Sequence, residues 1–135
     1  MALDIEGIAW LLSGNSEPIS IGRIVNQART HLSQKTSVIL LSTDSTRHIL
    51  TKHGDHMEAS TLLLLPEALR LGLWITDRDY SCRVSFEEKE TGVRYLAAVK
   101  ATKDRREIYL STFHRAQKGQ TKSVLKRGTI VRNHL

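Results

Sequence analysis

The chain has 135 residues, enough for one domain with one core, and at 40% hydrophobic and 25% charged it has the make-up of an ordinary globular protein. Its net charge of +6 is uneven: Lys100 to Leu135 holds ten Lys and Arg against two Asp and Glu, while the residues before it hold ten against twelve. The single cysteine, Cys82, excludes an internal disulfide and a multi-cysteine zinc site, and no apolar run reaches the roughly 18 residues of a membrane-spanning helix.

Asp4 to Ser13 is a short apolar segment expected to be helical, and it lacks the basic start of a signal peptide, so a cytoplasmic location is the default. GNSEP, Gly14 to Pro18, breaks it. Ser20 suits an N-cap, and Ile21, Ile24, Val25, Ala28 and Leu32 follow at helical spacing, which predicts one amphipathic helix to about Leu32. Val38 to Leu41 fits a buried strand. Thr43 or Asp44 can cap a helix through Arg47, His48 and Leu50 towards His53, with Gly54 as its stop. A second helix is expected from about Met57 to Leu71, kinked or divided at Pro66.

After Gly72 the texture changes to alternation. Cys82 to Phe86, Val93 to Ala101 and Glu107 to Phe113 read as three strands joined by the turns EKETG and TKDR. The fold class is therefore α+β, with N-terminal helices packed on one face of a C-terminal antiparallel meander. The chain divides into a helical extension (1–35), a core (36–113) and a basic tail (114–135). The tail has little periodicity beyond a last strand at Thr129 to Arg132.

The segment YLSTFHRAQKGQTKSVLKR, Tyr109 to Arg127, carries the functional signal. A β-prone run ends in two hydroxyls, Ser111 and Thr112, meets His114 and Arg115, and opens into Lys118, Lys122, Lys126 and Arg127. Such charge asymmetry points to an anionic partner, and nucleic acid is favoured over membrane because the tail has no apolar insertion face. Strand parity puts Cys82, Val84 and Phe86 on one face and Ser81, Arg83 and Ser85 on the other. In the last strand it groups Ile108, Leu110 and Thr112 against Tyr109, Ser111 and Phe113. Arg83, Tyr109 and Ser111 are thus expected to share the face away from the core, while the face of Lys100, which has the parity of Leu96 and Ala98, is open.

Cleaving RNA without a metal takes a base for the 2′-hydroxyl proton, an acid for the leaving 5′ oxygen, and fixed cations or donors for the phosphorane charge. His53, Arg83, Lys100, Ser111, Thr112 and His114 would supply that set, with no cofactor. Each has a plainer reading: His53 at a helix end beside the dipole, Arg83 and Lys100 as solvated sheet residues, Ser111 and Thr112 as ordinary strand residues. His48 reads as structural, Cys82 as core, and Trp10 and Trp74 as core or interface anchors. His53, Asp55 and His56 form only a weak metal pattern.

TRHILTKHGDH, LLLLPEAL, CRVSF, YLAAVKA and YLSTF, in that order, resemble the phage-associated branch of the barnase–EndoU–colicin–RelE-like RNase superfamily, over roughly Val38 to Phe113. The resemblance implies a metal-independent endoribonuclease, often a toxin acting on tRNA or other translation RNAs, and with it an acidic inhibitor or immunity protein. It implies that His53 of the Lys52-His53 pair is the acid or base with Lys52 on RNA beside it, that Arg83 and Lys100 hold phosphate, and that Ser111 or Thr112 is the last-strand hydroxyl. The family's aspartate has two counterparts here, Asp55 and Glu58, and the tail beyond Phe113 lies outside the motif. The competing expectation is a non-catalytic RNA-binding module that uses the tail; a nucleotide-dependent transferase lacks a glycine-rich phosphate loop.

Overall fold

The computed structural model describes residues 3–14, 17–32, 36–52, 58–78, 80–104 and 106–131. The fold is α+β: mostly N-terminal helices and a seven-stranded mixed sheet. Helix α1 is Ile5–Leu12, capped by Asp4, whose carboxylate accepts from the Gly7 N–H at 2.7 Å. Strand β1 is Ile19–Arg23, helix α2 is Asn26–Leu32, and strand β2 is Val38–Leu41. The helix expected from Ser20 is therefore a strand followed by a shorter helix. Its first half, Ile-Ser-Ile-Gly-Arg, holds two β-branched residues and a glycine, and pairing with β2 outweighs its helical spacing.

Helix α3 is Thr43–Lys52. Its start is held by Ser42, whose hydroxyl accepts from the Ser45 N–H at 3.1 Å, and not by Thr43 or Asp44. The segment expected as one helix to Leu71 is divided at its proline: a 3-10 helix over Ala59–Leu64, then α4 over Leu65–Leu71 with Pro66 in its first turn. Strands β3 (Leu73–Thr76), β4 (Ser81–Glu87), β5 (Arg94–Ala101) and β6 (Ile108–Arg115) form the antiparallel meander. The sheet order is β1-β2-β6-β5-β4-β3, with β2 parallel to β6 and a further short strand beyond β3.

The sheet is covered differently on its two faces. On the first face Cys82, Val84, Ala97, Val99, Ile108, Leu110 and Phe113 meet α1, α2, α3 and α4 through Ile8, Leu11, Ala28, Leu32, Ile49, Leu65 and Leu69. Trp74 is buried there, and its indole N–H donates to the Leu69 carbonyl at 2.9 Å. The second face is the one on which Arg83 and Ser111 were expected. It carries helix α5, Gln120–Arg127, whose Val124 packs on Ile75 and Leu96. The chain then forms β7, Ile130–Val131, against β3. Up to Val131, then, the basic tail is a docked helix and an edge strand.

Gly128 joins α5 to β7 where the backbone passes close to β3, and a Cβ there would strike the Thr76 carbonyl and the Ile75 side chain. Gly128→Ala should cost about 1–3 kcal/mol by overpacking. Cutting the chain after Ala116 should cost more, because it uncovers Ile75 and Leu96. Thermal melts of both variants check this; a truncated protein melting like the full chain would show that α5 contributes nothing to the fold.

Candidate nucleic-acid interface

Beside α5, the second face opens into a cleft of about 440 Å³. Its walls combine Arg83 of β4, Lys100 of β5, Ser111 and Thr112 of β6, and Arg127 from the last turn of α5. The ladder fixes this arrangement. Arg83 pairs with Ala98 and Ala98 with Thr112, so these three form one row across the sheet. Ser81 pairs with Lys100 in the next row. Ala98 sits between the longer side chains and, with only a methyl, leaves the space open.

The placement of Thr112 corrects the parity expected of β6. The register slips between Ala98 and Val99: Ala98 pairs with Thr112 but Val99 pairs with Leu110, which leaves Ser111 as the extra residue of a β-bulge. The Ser111 hydroxyl donates to the Ala98 carbonyl at 3.2 Å. The slip re-phases the strand, so Thr112 lines the cleft together with Ser111, while Phe113 is buried in the first-face core with Ile108 and Leu110. Lys100 lies on the cleft face, in the parity of Leu96 and Ala98.

Three residues outside the sequence candidates, Asp77, Arg78 and Ser81, complete the cleft. Asp77, at the end of β3, accepts from the Arg83 Nε at 3.1 Å. Burial pushes its carboxyl up, but the hydrogen bonds from Arg83 and the Arg78 backbone, with the charges of Arg83 and Arg127, hold it below the usual aspartate range. Ser81 is buried, 4% exposed. An acid six residues before a strand arginine was the available signal for Asp77. Cys82, on the opposite face, is buried and its thiol is pushed up to about 12, with Asp77 adding to the effect, so it is no nucleophile.

The remaining sequence candidates are dispersed. His114 lies two residues beyond Thr112 on the cleft face, with Nδ1 2.8 Å from the Arg115 carbonyl. Arg115 pairs with Tyr95 on the other face. Lys118 and Lys122 line a separate hollow with Arg94 at the start of α5, and Lys126 is exposed on that helix. Lys52 ends α3, which packs on the face opposite the cleft through Ile49. His53, with Gly54, Asp55, His56 and Met57, lies outside the described residues. Among the described residues no three His, Cys, Asp or Glu side chains cluster as metal ligands, and no helix is long and apolar enough to cross a membrane. A larger groove of about 690 Å³ is lined by Glu67, Glu87, Glu88 and Glu90 against Lys89 and Arg94, the wrong balance for an anion.

Asp77 occupies the guanidinium that an incoming anion would use. Asp77→Asn should therefore raise the affinity for inorganic phosphate by up to roughly 5-fold, the worth of one partly exposed ion pair. Because folding lowers the Asp77 pKa, its pairing stabilises the protein above the ordinary aspartate range and is lost as the pH falls through the lowered value. The variant should then lose less stability than the wild type on acidification. Weaker phosphate binding by Asp77→Asn would show that the carboxylate organises the cleft and does not compete for it.

No protein-family model matches the chain, and no curated protein or solved structure matches it significantly.

Proposed function

We propose that the protein is a metal-independent endoribonuclease whose cleft holds the scissile phosphate. The observation that carries this reading is the convergence of Arg83, Lys100, Ser111, Thr112 and Arg127, from three strands and one helix, on a single hollow. Cations and hydroxyls gathered in one hollow are what a phosphorane needs, since they stabilise the charge that develops on its oxygens. In the proposed reaction the ribose 2′-oxygen attacks phosphorus, the bond to the 5′ oxygen breaks, and a 2′,3′-cyclic phosphate remains. Arg83 and Lys100 take the equatorial charge, and the Thr112 hydroxyl donates to a phosphate oxygen, while the single Ser111 proton stays on the Ala98 carbonyl.

Proton transfer falls to a histidine, which takes the 2′-hydroxyl proton and gives a proton to the departing 5′ oxygen. His114 is on the cleft face, roughly 7 Å along the strand from Thr112 at strand spacing. His53, the acid or base implied by the family resemblance, lies outside the described residues. His114 is thus the histidine that the described residues offer on the cleft face, and the second reading, RNA binding without cleavage, needs neither. The exposed Lys122 and Lys126 of α5 extend the basic surface for neighbouring phosphates. The proposed substrate, tRNA or another RNA, places the action in the cytoplasm, and a free ribonuclease would call for an acidic inhibitor.

Incubation of the purified protein with total RNA in EDTA tests the reading. Cleavage to cyclic-phosphate ends is expected, with Arg83→Ala slower by roughly 100-fold. Of His114→Ala and His53→Ala, the variant that removes the proton-transfer group should fall by a similar factor and the other little. Binding without cleavage would favour the second reading. Neither binding nor cleavage would overturn both.

A further inference from the structure

Asp77 and Arg78 follow β3 and Ser81 opens β4, all three beside the cleft. The Asp77 N–H donates to the Ser81 carbonyl at 3.1 Å, and the Ser81 N–H donates to the Arg78 carbonyl at 3.0 Å. These bonds satisfy the Ser81 backbone and ask nothing of its side chain. Yet Ser81 is buried, and among the described residues its Oγ has no hydrogen-bond partner. Such a hydroxyl has given up water and received nothing in return. Buried polar groups are nearly all satisfied, so an exception beside a cleft calls for a use. Alanine would keep both backbone bonds at nearly the same volume, so the hairpin has no need of the oxygen.

Its position supplies the use. Ser81 lines the cleft, faces Lys100 across the ladder, and shares the strand face of Arg83 two residues on. We infer that the Ser81 hydroxyl is an anion-binding group, donating to an oxygen of the phosphate held by Arg83 and Lys100. This rests on the reading of the cleft as the phosphate site. In the free protein Arg83 is engaged by Asp77, and both side chains are partly exposed. A phosphate that takes Arg83 from Asp77 brings acceptor oxygens to the wall where Ser81 sits. The Oγ has no exposed surface in the free state, so the long side chains around it turn as the ligand enters. The hydroxyl then gains the partner it lacks, and its desolvation is already complete before binding.

The test uses the full chain and inorganic phosphate, with binding followed by titration and stability by thermal melting. Wild type is expected to bind phosphate and to melt higher in its presence. Ser81→Ala is expected to melt no lower than wild type without phosphate, because an unsatisfied polar group has been removed, and to bind phosphate roughly 10-fold more weakly, the worth of a hydrogen bond to a charged group. Arg83→Ala serves as the control for the cleft itself. If Arg83→Ala weakens binding and Ser81→Ala does not, the hydroxyl is not a ligand group, while the cleft stands. If Ser81→Ala loses stability in phosphate-free buffer, its role is structural and the inference falls. If wild type binds no phosphate, or Arg83→Ala binds it as well as wild type, the reading of the cleft falls and takes Ser81 with it.

Discussion

The bulge at Ser111 is the constraint on which the cleft depends. A regular β6 would alternate, so that Thr112 followed Ile108 and Leu110 into the core and Phe113 turned outward. One extra residue opposite Ala98 and Val99 reverses that phase. Phe113 stays buried and stacks on Tyr95 at 5.2 Å between ring centroids, while both hydroxyls line the cleft. The bond from Ser111 to the Ala98 carbonyl ties the extra residue to the neighbouring strand. A bulge at this point thus serves packing on one face and chemistry on the other.

The second dependence is the half-covered state of the second face. α5 is mostly polar; Val124 and the partly buried Leu125 pack against Ile75 and Leu96. That small contact fixes the helix at one end of the sheet and brings the last-turn Arg127 to the cleft, where its charge is felt by Asp77. Lys126 and Arg127 also suit a helix C-terminus, where the dipole favours positive charge. The same residues therefore stabilise the helix end and raise the potential of the cleft. Asp77 moderates that potential by engaging Arg83, so the arginine is held in place before any ligand arrives.

Much of this was legible in the sequence. Alternation gave the faces of β4, with Cys82, Val84 and Phe86 inward and Arg83 outward, and the charge count located the basic segment. The proline marked the division before α4. The failures have physical causes. The spacing of Ile21, Ile24, Val25, Ala28 and Leu32 is helical, but the first of these residues lies in a strand, because pairing with β2, beyond α2, decides its conformation. Leu73 to Thr76 was too short a run to stand out. α5 has too few apolar residues to show a period, although Gly119 and Gly128 bracket it and cations fill its last turn. The bulge left no mark, since strand parity assumes a perfect ladder. Asp77 and Ser81 matter because a hairpin turns them toward Arg83 and Lys100, and only the fold brings those residues together.

The claim that the sheet face beside α5 is where RNA phosphate sits is tested most directly by mapping backbone amide shifts during titration with a short 2′-O-methyl RNA, which binds but cannot undergo 2′-attack. The account predicts that the largest changes centre on Ser81, Arg83, Ala98, Lys100, Ser111 and Thr112 and extend along α5. Changes confined to the opposite face, around α3 and Arg115, or limited to the exposed lysines with the cleft unaffected, would contradict it.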